Sequence, residues 1–128
     1  MVSMWRWLFT GFLVAHGVIH LALWVPSQTE QGRIPGHSWL LGDQRSIAVA
    51  ITIVATALFV AAGAGLLFHA GWWRPLTVLA GIVSISLVIV FPEPFRPYAW
   101  VLSPLAINGA LIAAILWFSW PSERMVGA

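Results

Sequence analysis

Two histidines, His16 and His20, stand one helical turn apart in an apolar run near the start of the chain. At this i, i+4 spacing both rings fall on one face of a helix. His16 is near the middle of the run, and His20 lies about 6 Å closer to its far end. Trp5, Phe9, Phe12, Leu13, Ile19 and Leu23 share the face, so two imidazoles interrupt an aromatic and aliphatic stripe. Such a wall can line a pocket for a hydrophobic ligand or redox cofactor, with a quinone, a lipid or haem as the candidate classes. It can hold a metal between His16 and His20. It can also simply bond neighbouring helices together through neutral imidazoles. One haem cannot take both rings as axial ligands, because they approach from the same side. His37 and His69, the other two histidines, offer His16 no evident partner.

Asn108 is the second candidate. It sits in the last apolar run at about the depth of His16, and a buried amide needs partners. The two are expected to face one interior space and satisfy each other, directly or through a ligand. Pro104, one turn earlier, leaves the carbonyl of Trp100 without its helical donor. A third group, His37, Asp43, Arg45, Glu93 and Arg96, joins His20 and Glu30 in a possible polar ring at one mouth of the molecule. Such a ring could bind a hard metal or pass protons. Solvated loop charges and helix caps are the plainer reading. Glu93 and Arg96 are bracketed by Pro92, Pro94 and Pro97, which would hold an acid and a base in a fixed turn.

The elements that must position these residues are four long apolar runs. A helix crossing a membrane needs roughly 20 mainly apolar residues. The runs fall at about 5–25, 46–69, 73–91 and 98–120. Pro26 ends the first, Asp43 is placed to cap the second, Pro75 suits the first turn of the third, and Pro121 closes the fourth. The segment 92–97 reads as non-helical. The links after the second and third runs are short, so an all-α, integral membrane up-down four-helix bundle is expected, as one domain. The loop 26–43 is the one long connection. Trp39, Leu40 and Leu41 should anchor it on the bundle. Thr52, Thr56, Phe59 and Gly63 share one helix face, and Thr77, Gly81 and Ser84 another; both stripes read as close-packing surfaces.

Composition agrees. Hydrophobic residues make up 60% of the 128 and charged residues 8%, against about one quarter charged in a soluble domain. The nine tryptophans cluster near run ends and in the first loop, as at membrane–water interfaces. Six arginines oppose four acids, with no lysine and no basic run, which argues against nucleic-acid binding. The arginines divide equally between the two ends of the bundle, so orientation is nearly unbiased. The N-terminal amine tips it toward cytoplasmic termini. The first run is too long for a secretory signal and reads as a retained helix. Cysteine is absent, which removes disulfides and thiolate chemistry. No phosphate-binding loop or nucleophile elbow occurs, and no acid or arginine lies between the ends of a run, Arg6 and Arg74 standing at the ends of theirs. An intramembrane carboxylate carrier is therefore not expected.

The stretch from Arg6 to Leu21, with Gly11 and Gly17, resembles the first helix of small four-helix bacterial membrane proteins of the DoxX-like kind. The run Ala61-Ala62-Gly63-Ala64-Gly65-Leu66-Leu67 is similar to their glycine-rich second helix, although the acid often found there is missing. The resemblance covers about half the chain. It implies a link to quinone-dependent membrane oxidation. The lysine-free, arginine- and tryptophan-rich usage fits a high-GC bacterium, and so a multi-pass protein of the bacterial inner membrane. The leading expectation is a hydrophobic ligand or cofactor bound through His16, His20, Asn108, Phe12 and Phe9. The alternatives are a non-catalytic accessory or assembly subunit of a larger membrane complex, and a small homo-oligomeric transporter or channel.

Overall fold

The computed structural model describes residues 3–127. Four long helices account for most of it: α1 (Met4–Trp24), α2 (Arg45–Leu67), α3 (Trp73–Val90) and α4 (Leu102–Leu116). A short α5 (Glu123–Val126) follows. Counting the 3-10 turn Tyr98–Val101 with α4, four helices are long and apolar enough to cross a membrane.

Local chemistry sets the boundaries. Ser3 caps α1, its Oγ accepting the Arg6 backbone N–H at 3.1 Å. Asp43 does not cap α2 as expected. Its carboxylate is taken by His37 Nδ1 at 2.6 Å, and Gln44 holds the cap position without a side-chain bond. α2 stops two residues short of its expected end. His69 adopts φ +59°, its N–H reaches the carbonyl of Leu66, and the Ala70 N–H bonds Gly65 O at 2.7 Å. That is the left-handed closure usually made by glycine. α4 ends at Leu116, not at 120. Ser119 turns to φ +47° and the Trp120 N–H reaches back to Ala114 O at 2.9 Å. The proline segment is not wholly irregular either. Glu93–Phe95 forms a 3-10 turn, because Pro94 has no N–H to satisfy and the Phe95 N–H finds Pro92 O at 2.9 Å.

The helices run up and down in sequence. The start of α1 meets the end of α2 through Arg6 and His69, and the ends of α1 and α3 meet through Trp24 Nε1, which donates to Phe91 O at 3.0 Å. Arg74 at the start of α3 donates to Pro121 O beyond α4. α1 packs on α2, α2 on α3 and α3 on α4. α1 and α4, which would close the ring, make no comparable backbone packing. Two apolar clusters fill the interior. One, with Leu13, Phe59, Leu66, Trp73 and Ile115, lies toward the termini. The other, with Trp24, Ala48, Leu87, Val88 and Phe91, lies toward the long loop. A polar layer separates them.

The loop is pinned by hydrogen bonds more than by the expected apolar anchor. Trp39, Leu40 and Leu41 are exposed by 65%, 61% and 44%. The indole instead donates to Ile89 O at 2.7 Å, and Arg45 reaches back to Val25 O. A two-residue antiparallel pairing, His37–Ser38 with Gly42–Asp43, shapes the tip.

Candidate functional site

The polar layer is built from α1, α3 and α4. His20 is buried on α1. Its Nδ1 lies 2.8 Å from His16 O and 3.2 Å from Gly17 O, and its Nε2 lies 2.7 Å from Ser84 Oγ on α3. Asn108 on α4 is 1% exposed. Its Nδ2 donates to Ser84 Oγ at 3.0 Å and to Pro104 O at 2.8 Å. Its Oδ1 lies 3.1 Å from His16 Nε2. The contact expected between His16 and Asn108 is thus present, and Ser84 links both to His20 in one chain of bonds. Ser84 carried no sign of this in the sequence, where its stripe with Thr77 and Gly81 pointed to packing. The first two residues of that stripe do behave so: Thr77 bonds its own helix at Trp73 O, and Gly81 lies against Ile112.

Aromatic rings fix the imidazoles. Phe12 stacks on His16 at 5.5 Å, and Phe59 of α2 meets His16 edge-on at 4.7 Å. Trp24 stacks on His20 at 5.7 Å. Thr56 ties α2 to the same level of α1, donating to Gly17 O at 3.0 Å.

Around this layer the seam between α1 and α4 is open. A space of about 190 Å³ is bordered by His16, His20, Ser84, Asn108, Pro104 and Phe95, among others. Below it, a groove of about 480 Å³ runs toward the termini between Trp5, Leu8, Phe9 and Phe12 of α1 and Ile107, Ala110, Leu111 and Ala114 of α4, with Trp120 at its end. Ile107 borders both spaces. Phe9 and Phe12 therefore line the groove, not the polar pocket.

The polar ring expected at the loop mouth does not form. His37 pairs with Asp43 alone in an exposed contact. Glu93 is 6% exposed; it accepts from Tyr98 Oη at 2.9 Å and faces Arg96 at 3.4 Å. Arg45 is spent on Val25 O, and His20 lies inside the bundle. Each charge finds a partner close in sequence or on a neighbouring carbonyl, so nothing draws the five together. Among the described residues no three histidine or acidic side chains are grouped to hold a metal. A metal shared by His16 and His20 would have to displace Ser84 or backbone carbonyls, since both His20 nitrogens are engaged and the two rings stand at 83°. His37 and His69 lie at opposite ends of the bundle, so His16 has no facing histidine for a haem.

A second buried polar cluster was not foreseen. Arg6 is 2% exposed. Its Nε donates to Val126 O at 2.6 Å, and its Nη2 donates to Gly127 O and to His69 Nδ1 at 2.9 Å. Ser3 Oγ donates to Met125 O at 2.8 Å. A guanidinium thus clasps α5 onto the start of α1 with no carboxylate partner among the described residues. An arginine at the head of an apolar run reads as an interface marker, and a four-residue helix is too short to show periodicity. Searches against family models, curated proteins and solved structures return no match to this chain.

Proposed function

We propose that this chain is a multi-pass membrane protein that binds a hydrophobic small molecule in the seam between α1 and α4, with the polar end of the ligand at His16. The observation that carries this reading is an apolar groove and a polar pocket that share Ile107 as a wall, at the helix pair that does not close. Burying a polar layer in an apolar surrounding is costly unless it has work or partners. Here the layer has partners, yet it borders an open space instead of a packed interface. The groove suits an aliphatic or isoprenoid tail, and the pocket a small hydrogen-bonding head. Haem fits poorly, since one histidine face cannot supply two opposed ligands. The resemblance to DoxX-like proteins makes the quinone–quinol class the first to test.

The test is to purify the protein in lipid nanodiscs and identify co-purifying lipophiles by mass spectrometry. A single compound at near-stoichiometric ratio is expected in the native chain. It should be lost in Ala110→Trp, which fills the groove from the exposed face of α4 without touching the polar layer. Equal recovery in both proteins, or only bulk lipid in both, overturns the reading.

The thin packing of α4 supports a second reading, an accessory subunit whose partner covers that helix. Only 11% of its apolar window is buried, against 28–39% in the other three helices. A discrete larger complex on native gels after mild solubilisation, with no bound lipophile, would favour it.

A further inference from the structure

The geometry points to a ligand whose head group donates a hydrogen bond: a lipophilic hydroxyl compound, such as a phenol or a quinol, in preference to a ketone or ether. This deepens the ligand-binding reading above and rests on it.

The bonds in the polar layer leave little freedom in where the hydrogens sit. Carbonyl oxygens can only accept. His20 Nδ1 faces two of them, His16 O and Gly17 O, so it carries the N–H. In a neutral ring its Nε2 is then the acceptor, and the Ser84 hydroxyl at 2.7 Å donates to it. With its one hydrogen used, Ser84 Oγ accepts from the Asn108 amide at 3.0 Å. Pro104 O, 2.8 Å away, fixes which end of that amide is nitrogen. The Asn108 oxygen is thereby the end that faces His16 Nε2, so His16 Nε2 carries the N–H and donates. His16 Nδ1 is left with a lone pair.

That lone pair has no hydrogen-bond partner among the described residues. Arg74 Nη1 is the one fully enclosed side-chain nitrogen or oxygen there that lacks a partner, so His16 Nδ1 is not sealed away. It belongs to a ring that borders the 190 Å³ pocket. The layer therefore leaves one unmet valence on a residue that borders the seam, and it is an acceptor. In an apolar surrounding an unmet acceptor is expensive, and a hydroxyl-bearing amphiphile relieves the cost where a ketone or ether adds a second lone pair. Asn108 is the positioning residue: it selects the His16 tautomer without needing to touch the ligand.

The experiment compares two probes of nearly equal size, 4-decylphenol and its methyl ether, bound to the protein in nanodiscs. The phenol should bind about tenfold tighter, as expected for one hydrogen bond made against a buried acceptor left bare. Asn108→Leu frees the His16 tautomer and should shrink the ratio. Imidazole nitrogen NMR on histidine-labelled protein gives a readout that needs no ligand: His16 should show a bare Nδ1 and a protonated Nε2. Equal affinities in the native chain, or a protonated Nδ1, overturn the inference while leaving the groove reading intact. Failure of both probes to bind, with no lipophile co-purifying, overturns the groove reading itself.

Discussion

α1 meets α2 and α4 in opposite ways. Against α2 it comes so close that side chains are excluded. A methyl group on Gly17 would lie 2.7 Å from Phe59 Cβ and 3.2 Å from Thr56 O, and one on Gly63 would lie 2.9 Å from Val14. Against α4 the backbones stay apart, and the main tie is the bond between His16 and Asn108. In lipid, burial of apolar surface gives helices little reason to associate, because acyl chains are equally apolar. Close packing of small residues and interhelical hydrogen bonds do the work. The α1–α2 seam uses mainly the first and the α1–α4 seam mainly the second. A seam held by packing is filled. A seam held by one polar contact leaves room above and below it.

The contrast can be broken in three places. Gly17→Leu should have the largest effect, because the clash is with the backbone and Cβ of α2 and not with a flexible tip. A loss of about 3 kcal/mol is expected, read as a collapse of the monodisperse peak on size exclusion. A well-folded Gly17→Leu protein would mean that α1 and α2 are not in close contact. Next, His16→Leu and Asn108→Leu should each cost about 1–3 kcal/mol by stranding the partner. The double variant should lose clearly less than the sum, since one contact is removed twice. Strict additivity in thermal unfolding would show that the two side chains do not support each other. The smallest effect belongs to Gly109→Ala on α4, where an added methyl meets nothing within 4 Å. The change should stabilise by up to about 1 kcal/mol through helix propensity alone. A destabilisation like that of Gly17 would place a close neighbour against α4 and erase the difference between the seams.

Much of the fold is legible in the sequence because length and apolarity are strong marks of a helix suited to a membrane. Depth is legible too: His16 and Asn108 can be matched by counting residues from the ends of their runs. Rotation about the helix axis is much harder to read. When both faces of a helix are apolar, periodicity does not say which one is inside. This is why Ser84 passed for packing, although it bridges His20 and Asn108. The charged mouth failed for a different reason. His37, Asp43, Glu93 and Arg96 are near one end of the molecule, but each has a partner within six residues, and local pairs cost less entropy than a gathered ring. The early ends of α2 and α4 depend on His69 and Ser119 entering a left-handed conformation, which neither residue type announces.

The clasp at Arg6 carries a consequence for the order of assembly. Two of the three acceptors of its guanidinium, Val126 and Gly127, lie 120 and 121 residues downstream, while the third, His69, closes α2. α1 therefore leaves the ribosome long before those two carbonyls exist. Until then the cation has water and, once α2 is complete, His69 for partners. It can withdraw beneath α5 only once the downstream segment emerges, so the side chain that enters first is among the last to reach its final place.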